Sequence, residues 1–254
     1  MRDQIISFFQ MPQKTIFNRK IAKKQFHEQG QLKAAEKELF TTEIESIYLL
    51  SICKQDTLNV PKFVNSDRRY EEIYWLLASF KSTKRFERMI NIFHKVMPNP
   101  IVVLATDDNE NLSVSTAHKR LNQNDETKVV VENVTNSPWI NLTDEGEAVQ
   151  RFIGRINFNN LSYSNLYSFY DSVNSAIRMS SLIEQIQKYP NIGVSSDELI
   201  PLIDSLEDTN RNINQLQELQ KEQLDFGEKM ELHMKIKKYK QEEDRVLIRI
   251  KELC

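Results

Sequence analysis

The chain has 254 residues, 40% hydrophobic and 28% charged, with a formal net charge of -2 and a pI of about 6.2. That balance supports a packed core and excludes wholesale disorder and a bulk polycation for nucleic acid, but it leaves room for a local basic face. Only five glycines are present, at positions 30, 146, 154, 193 and 227, and no two are spaced to form a phosphate-cradling loop.

Cys53 and Cys254 fit neither a disulfide framework nor a zinc knuckle. The four histidines, His27, His94, His118 and His233, are scattered without metal-ligand spacing. No apolar run approaches the length of a membrane span, and Met1 to Gln10, with Asp3 inside it, does not read as a signal peptide. A cytoplasmic protein without metal or cofactor is the expectation.

In chain order, an apolar patch (Ile5, Ile6, Phe8, Phe9) precedes a basic stretch. Lys14, Arg19, Lys20, Lys23 and Lys24 lie within eleven residues that hold no acid, interleaved with Ile16, Phe17 and Ile21. Thr42 and Glu45 have capping-box spacing, which predicts a helix over 42–51 with Ile44, Ile47, Tyr48 and Ser51 on its inner face. Residues 57–61 and 70–80 read as strands, the second carrying the apolar run Ile73 to Ala78 of a strand buried on both faces. Ser82 then caps a helix over 83–97 with Phe86, Met89, Ile90, Phe93 and Val96 on one face, stopped by Pro98 and Pro100. Further strands follow at 100–105, 112–118 and 129–131. This order predicts an α/β (α+β) fold, a mixed sheet with a crossover helix.

After the acidic turn at 144–147 a short helix is expected. A longer one follows over 164–188, with Leu166, Tyr170, Val173 and Ile177 inward and Pro190 at its end. The tail differs. Ile203, Leu206, Asn210 and Ile213 fall at heptad spacing, as do Ile236, Tyr239, Glu243, Val246, Ile250 and Leu253. The expected division is a core at 1–190 and a coiled-coil-like helical arm at 191–254. The arm is either one long helix or two broken near Asp225-Phe226-Gly227, with Gly227 as the hinge of a hairpin.

No residue set completes a catalytic motif. Asp225-Phe226-Gly227 matches the magnesium-binding tripeptide of protein kinases, but the glycine-rich loop and the catalytic loop are missing. Glu71, Glu72, Asp107 and Asp108, with Lys81, flank the central strands and form the one carboxylate set from which a metal-dependent nuclease could be built. His94 reads as a helix-surface or half-buried imidazole. The basic residues offer more. Besides Lys14 to Lys24, Lys84, Arg85 and Arg88 share one side of the 83–97 helix, and Lys235, Lys237, Lys238 and Lys240 bracket the tail's Ile236 and Tyr239. Cations on one face neutralise phosphates and neighbouring aromatics stack bases. The protein-interface candidates are Ile203, Leu206, Ile213, Ile236, Tyr239, Val246, Ile250 and Leu253.

Met11 to Lys24 (MPQKTIFNRKIAKK) is similar to the opening LPxxTxxNKxIPKK of a bacterial and archaeal domain-of-unknown-function family. Glu72 to Lys81, Ile90 to Ile101, Ser137-Pro138-Trp139 and Lys221 to Lys238 resemble further segments of it. The family's genes lie beside SNF2-type or DEAD-box helicases and type III-like DNA methyltransferases in islands that look like anti-phage defence. The resemblance assigns no catalytic residue. Ala22 replaces an expected proline, and Asp225 and Gly227 depart from the pattern. The function it implies is a non-catalytic adaptor of a helicase-containing defence complex, the alternative being a divergent nuclease subunit. Expected partners are a helicase or methyltransferase subunit, DNA, or a second copy of the chain, and no membrane.

Overall fold

A computed structural model describes residues 2–29, 32–191 and 193–254. The chain divides into two compact units, Met1–Gln187 and Lys188–Cys254. In the first, helix α1 (Arg2–Phe8) and a 3-10 turn (Gln13–Thr15) lead into β1 (Ile16–Lys20). Helices α2 (Lys23–Gln29) and α3 (Ala34–Glu43) follow, then β2 (Ile44–Lys54) and a single turn, α4 (Gln55–Leu58). A ribbon of β3 (Phe63–Val64) and β4 (Arg69–Tyr70) precedes β5 (Glu72–Phe80) and α5 (Phe86–Val96). Then come β6 (Ile101–Thr106), β7 (Asn111–Asn122), β8 (Asp125–Asn136) and β9 (Ile140–Asn141). Helices α6 (Glu147–Arg155), α7 (Leu166–Met179) and α8 (Ser181–Ile186) close the unit. The second unit holds α9 (Ser196–Glu222) and α10 (Phe226–Leu253).

The fold is mixed α/β. A seven-stranded sheet runs β1-β2-β5-β6-β7-β8, with β9 pairing β7. β5 and β6 are parallel, from Tyr74↔Ile101 to Ser79↔Thr106, and α5 is the crossover between them. The other neighbours on the path are antiparallel. Every residue of β6 is buried, as the apolar run at 100–105 requires. One face of the sheet carries a core in which α5 contributes Met89, Ile90 and Phe93, α3 contributes Phe40, and α2 contributes Phe26. Phe26, Phe40 and Phe93 meet with ring centroids 5.0–5.4 Å apart. Burial of each such ring stabilises the fold by roughly 2–3 kcal/mol. On the other face the buried Tyr170 hydroxyl of α7 lies 2.8 Å from the Ile101 carbonyl and accepts the Ala117 N–H at 2.8 Å, tying the helix to β6 and β7.

Several expectations are corrected. Residues 42–51 are not a helix, because α3 ends at Glu43 and β2 begins at Ile44. Two bulges in β2, one between Ile44 and Ser46 and one between Leu49 and Ser51, add residues to the strand. They place Ile44 and Ile47 on one face three apart, a helix-like spacing. Residues 57–61 are not a strand: α4 turns there, capped by Asn59 with φ 57°. The crossover helix starts at Phe86 rather than 83, with Arg85 and not Ser82 at its N-cap position. The 164–188 helix is interrupted at Ser180, whose hydroxyl donates back to the Ile177 carbonyl. In the tail the break falls at Gln223–Asp225, where Asp225 Oδ1 accepts the Glu228 N–H and caps α10. Gly227 is inside α10 and is not the hinge.

Two buried polar groups hold the crossover. His94 of α5 is fully buried, not half-exposed, with Nε2 3.0 Å from Ser115 Oγ of β7. Burial, and then the charge of Lys119, hold its pKa down at about 3, so the ring stays neutral. Lys119 of β7, itself buried, donates to the Asn99 carbonyl at 2.8 Å and to the Met97 carbonyl. Burial lowers its pKa from 10.5 to about 7. Above pH 7 the unfolded chain therefore retains a proton that the folded chain releases, and stability rises with pH. The rise from pH 7 to 8.5 should be about 1–2 kcal/mol. The window stops there because burial pushes the Cys53 thiol from 9.0 up to about 12, which cancels the rise at higher pH. Urea unfolding should show the rise in wild type and its loss in Lys119→Met. An equal slope in both proteins would contradict the assignment.

Candidate nucleic-acid interface

β1, β5 and β6 run in the same direction, because β1 and β5 both run antiparallel to β2 while β6 runs with β5; β1 ends at Lys20, level with Tyr48 of β2 and Leu77 of β5, and β5 runs on to Phe80. Lys20 ends β1, and Lys81 follows the end of β5, its N–H bonded to the Glu43 carbonyl at the start of β2. Lys23, at the start of α2, donates to the Thr41 carbonyl at 3.1 Å and to the Ile44 carbonyl. Burial lowers its pKa, and the charges of Lys81 and Lys20 lower it further, while Glu45 opposes them. Lys84 and Arg85 continue the same loop into α5, and Arg88 is exposed in the first turns of that helix. On β1 the Arg19 guanidinium lies 4.7 Å from the centroid of the exposed Phe17 ring. Arg2 joins this side, donating to Asn18 and lying over Tyr48.

The fold thus brings together Arg19, Lys20, Lys23, Lys84 and Arg85 and adds Lys81 and Arg2. Lys24 is exposed on α2, paired with Glu28 at 3.5 Å. Lys14 precedes β1 at the strand's other end, beside the Ile16↔Ser51 pairing. Lys237 and Lys238 belong to the second unit, exposed on α10. The chemical role of Lys23 differs from its neighbours': its ammonium satisfies the carbonyls at the junction of α3 and β2.

The carboxylate set does not converge. Glu71 and Glu72 sit at the start of β5, whereas Asp107 and Asp108 follow the end of β6, roughly 25 Å away at about 3.3 Å per residue. Asp107 closes its own turn, accepting from the Asn109 and Asn111 N–H groups. Among the described residues no three His, Cys, Asp or Glu side chains are placed to hold a metal. A hydrogen-bonded chain that spacing could not reveal runs from Asp171 through His118 to Tyr70, 2.9 Å and 2.8 Å long at its two links. Tyr70 also accepts the Lys119 N–H, so its hydrogen goes to His118 Nδ1 and the ring's Nε2–H goes to Asp171. Residues 48 and 53 positions from His118 meet only because α7 lies on β7. Burial raises the phenol pKa, and the chain acts as a structural tie.

In the second unit α9 and α10 run antiparallel, bridged by Arg249 and Glu198 at 3.2 Å. Ile203, Leu206, Ile213, Ile236, Val246 and Ile250 are buried. Tyr239 is exposed and Leu253 half-buried. Seven of the ten exposed large apolar side chains among the described residues lie here, including Leu224, Phe226, Met230, Met234 and Ile248.

The model of a family described as a domain of unknown function, DUF4391, matches residues 9–242. The chain belongs to the DUF4391 family. No curated protein and no solved structure matches it. The DUF4391 span includes the whole sheet, its cationic end and the turn between α9 and α10. No helix among the described residues is long and apolar enough to cross a membrane.

Within this DUF4391 chain, Lys23 and Lys20 should respond differently to substitution. Lys23→Met leaves two backbone carbonyls without their charged donor and should lower stability by about 1–3 kcal/mol. Lys20→Met, at an exposed edge, should change it by less than about 0.5 kcal/mol. Urea titrations of the two variants check this, and equal effects would remove the structural role of Lys23.

Proposed function

We propose that the protein is a non-catalytic accessory subunit that grips a nucleic-acid backbone with the cationic end of its sheet. The observation that carries this reading is the convergence of Arg19, Lys20, Lys81, Lys84 and Arg85 in a chain whose net charge is -2. A cationic end of this kind on a near-neutral molecule is a directed electrostatic feature. Phosphate contacts from lysine and arginine supply affinity without reading sequence. Phe17, 41% exposed on the edge strand β1, offers a ring on which an unpaired base can stack beside Arg19. The paired helices of the second unit, with their exposed apolar side chains, serve as a docking element for other proteins. The segments similar to helicase-neighbouring genes support a place in a helicase-containing anti-phage defence complex, in the cytoplasm.

Binding of fluorescently labelled single-stranded and duplex DNA should be sequence-independent and fall steeply with salt. The variant Arg19→Glu/Lys20→Glu/Lys84→Glu/Arg85→Glu, which spares Lys23, should weaken it. Its salt slope should be shallower by about 0.7–0.9 for each phosphate contact removed. The DNA should stay intact with magnesium or manganese. Unchanged affinity and slope would reduce the cationic end to a solvated surface, and metal-dependent cleavage would overturn the non-catalytic reading.

A further inference from the structure

Phe17 lies on β1, the strand that ends the sheet path, with no further described strand outside it. The β1–β2 register passes from Ile16↔Ser51 to Arg19↔Leu49, three steps along β1 against two along β2. The extra residue forms a bulge, and within it Asn18 has φ 45°. Asparagine tolerates that left-handed conformation better than most residues, and a bulge re-aims the side chains beside it. The Asn18 side chain accepts from Arg2 at 3.3 Å, which ties the kink to α1. The result is an aromatic ring 41% exposed at the rim of the sheet, with the Arg19 guanidinium 4.7 Å from its centroid.

The position of this ring sets it apart. Among the described residues the first unit exposes two other large apolar side chains, Val64 and Tyr163. Val64 belongs to the β3–β4 ribbon, and the Tyr163 ring meets Phe169 edge-on at 5.7 Å. Phe17 stands on the same strand as the exposed cations Arg19 and Lys20. A second guanidinium–ring pair lies one strand in: Arg2 is 4.3 Å from the centroid of half-buried Tyr48, the cross-strand partner of Lys20. Cations attract any phosphate backbone, paired or unpaired. A ring discriminates, because the bases of a continuous duplex are already stacked on one another and an unpaired base is not. An unpaired base can stack on an aromatic ring or on the guanidinium plane beside it. The Phe17–Arg19 pair therefore adds affinity for a single strand and none for an uninterrupted duplex.

We infer that the edge strand β1 makes the cationic end a single-strand site, with an unpaired base stacked on Phe17 and Arg19 and the neighbouring phosphates held by Lys20 and the cations beyond it. This rests on the nucleic-acid reading of that end, and the test separates the two. Fluorescence anisotropy of the full chain with labelled oligo(dT), oligo(rU) and a continuous duplex should show tighter binding to at least one single strand than to the duplex. Comparing the first two probes tells DNA from RNA, and a preference for either supports the inference. Phe17→Ala and Phe17→Leu should each weaken binding of the preferred single strand about tenfold and change duplex binding by less than about twofold. Phe17→Leu keeps apolar bulk at the position, so a loss shared with Phe17→Ala belongs to the aromatic face. Phe17→Trp should keep the wild-type affinity, and the fluorescence of the introduced indole should be quenched by that single strand and not by the duplex. Circular dichroism melts check that the variants fold. A duplex bound as tightly as both single strands would overturn the inference. So would Phe17 variants that leave single-strand binding unchanged, or that weaken both polymers equally. In those cases, salt-sensitive binding lost in Arg19→Glu/Lys20→Glu/Lys84→Glu/Arg85→Glu would leave the backbone-gripping reading standing alone. Absence of binding to all three probes would remove both.

Discussion

Lys119 reaches from β7 to the return loop of the crossover and places an amine where water cannot follow. Isolated in a low-dielectric interior, an ammonium is costly enough to shed its proton instead. Here it donates to the carbonyls of Met97 and Asn99, groups that the end of α5 and the prolines at 98 and 100 leave without helical partners. The carbonyls need a donor and the lysine needs acceptors, so each offsets the other's desolvation. The consequence is positional. With Met97 to Pro100 held to β7, β6 enters beside β5 in parallel, and the other end of α5 is directed to the sheet end where Lys81, Lys84 and Arg85 lie. His94, neutral and bonded to Ser115, secures the same helix one turn earlier.

The cationic end follows from strand order rather than from local sequence. β1 and β5 are separated by β2 alone, so the strands lie roughly 10 Å apart at about 4.8 Å per strand, with Lys20 level with Leu77 of β5. Lys23, at the start of α2, feels the charges of both Lys81 and Lys20, so the three act on one another rather than singly. Asp107 and Asp108 border the group one strand further on, beyond β5, and give it an edge. On the proposed reading, a phosphate backbone would meet attraction over β1 and β5 and repulsion at the β6–β7 turn.

Much of the fold was legible because its strongest signals are local. The apolar runs at 73–78 and 101–105 can only be strands buried on both faces, and the four-residue and three-residue spacings of Phe86 to Val96 fit one helix face. Where the reading failed, tertiary context overrode pattern. The bulges of β2 gave Ile44 and Ile47 a helical spacing, and the pairing that produces them lies some thirty residues away in β5. The helix break at Ser180 carries no glycine or proline. Of the basic residues, Arg19, Lys20, Lys84 and Arg85 were found by composition, but Lys81 was read as a nuclease lysine. That it joins Lys20 depends on β2 lying between them, which no spacing encodes. Lys14 lies at the other end of β1. The Asp171–His118–Tyr70 chain had no sequence signal at all.

The claim that one end of the sheet meets nucleic acid is tested most directly by amide hydrogen exchange with and without saturating DNA. Slowed exchange should appear in residues 18–24 and 81–88, which surround the cationic end. Residues 54–72, at the opposite end of β5, should be unaffected. Protection confined to 188–254, or centred on 54–72, would contradict it.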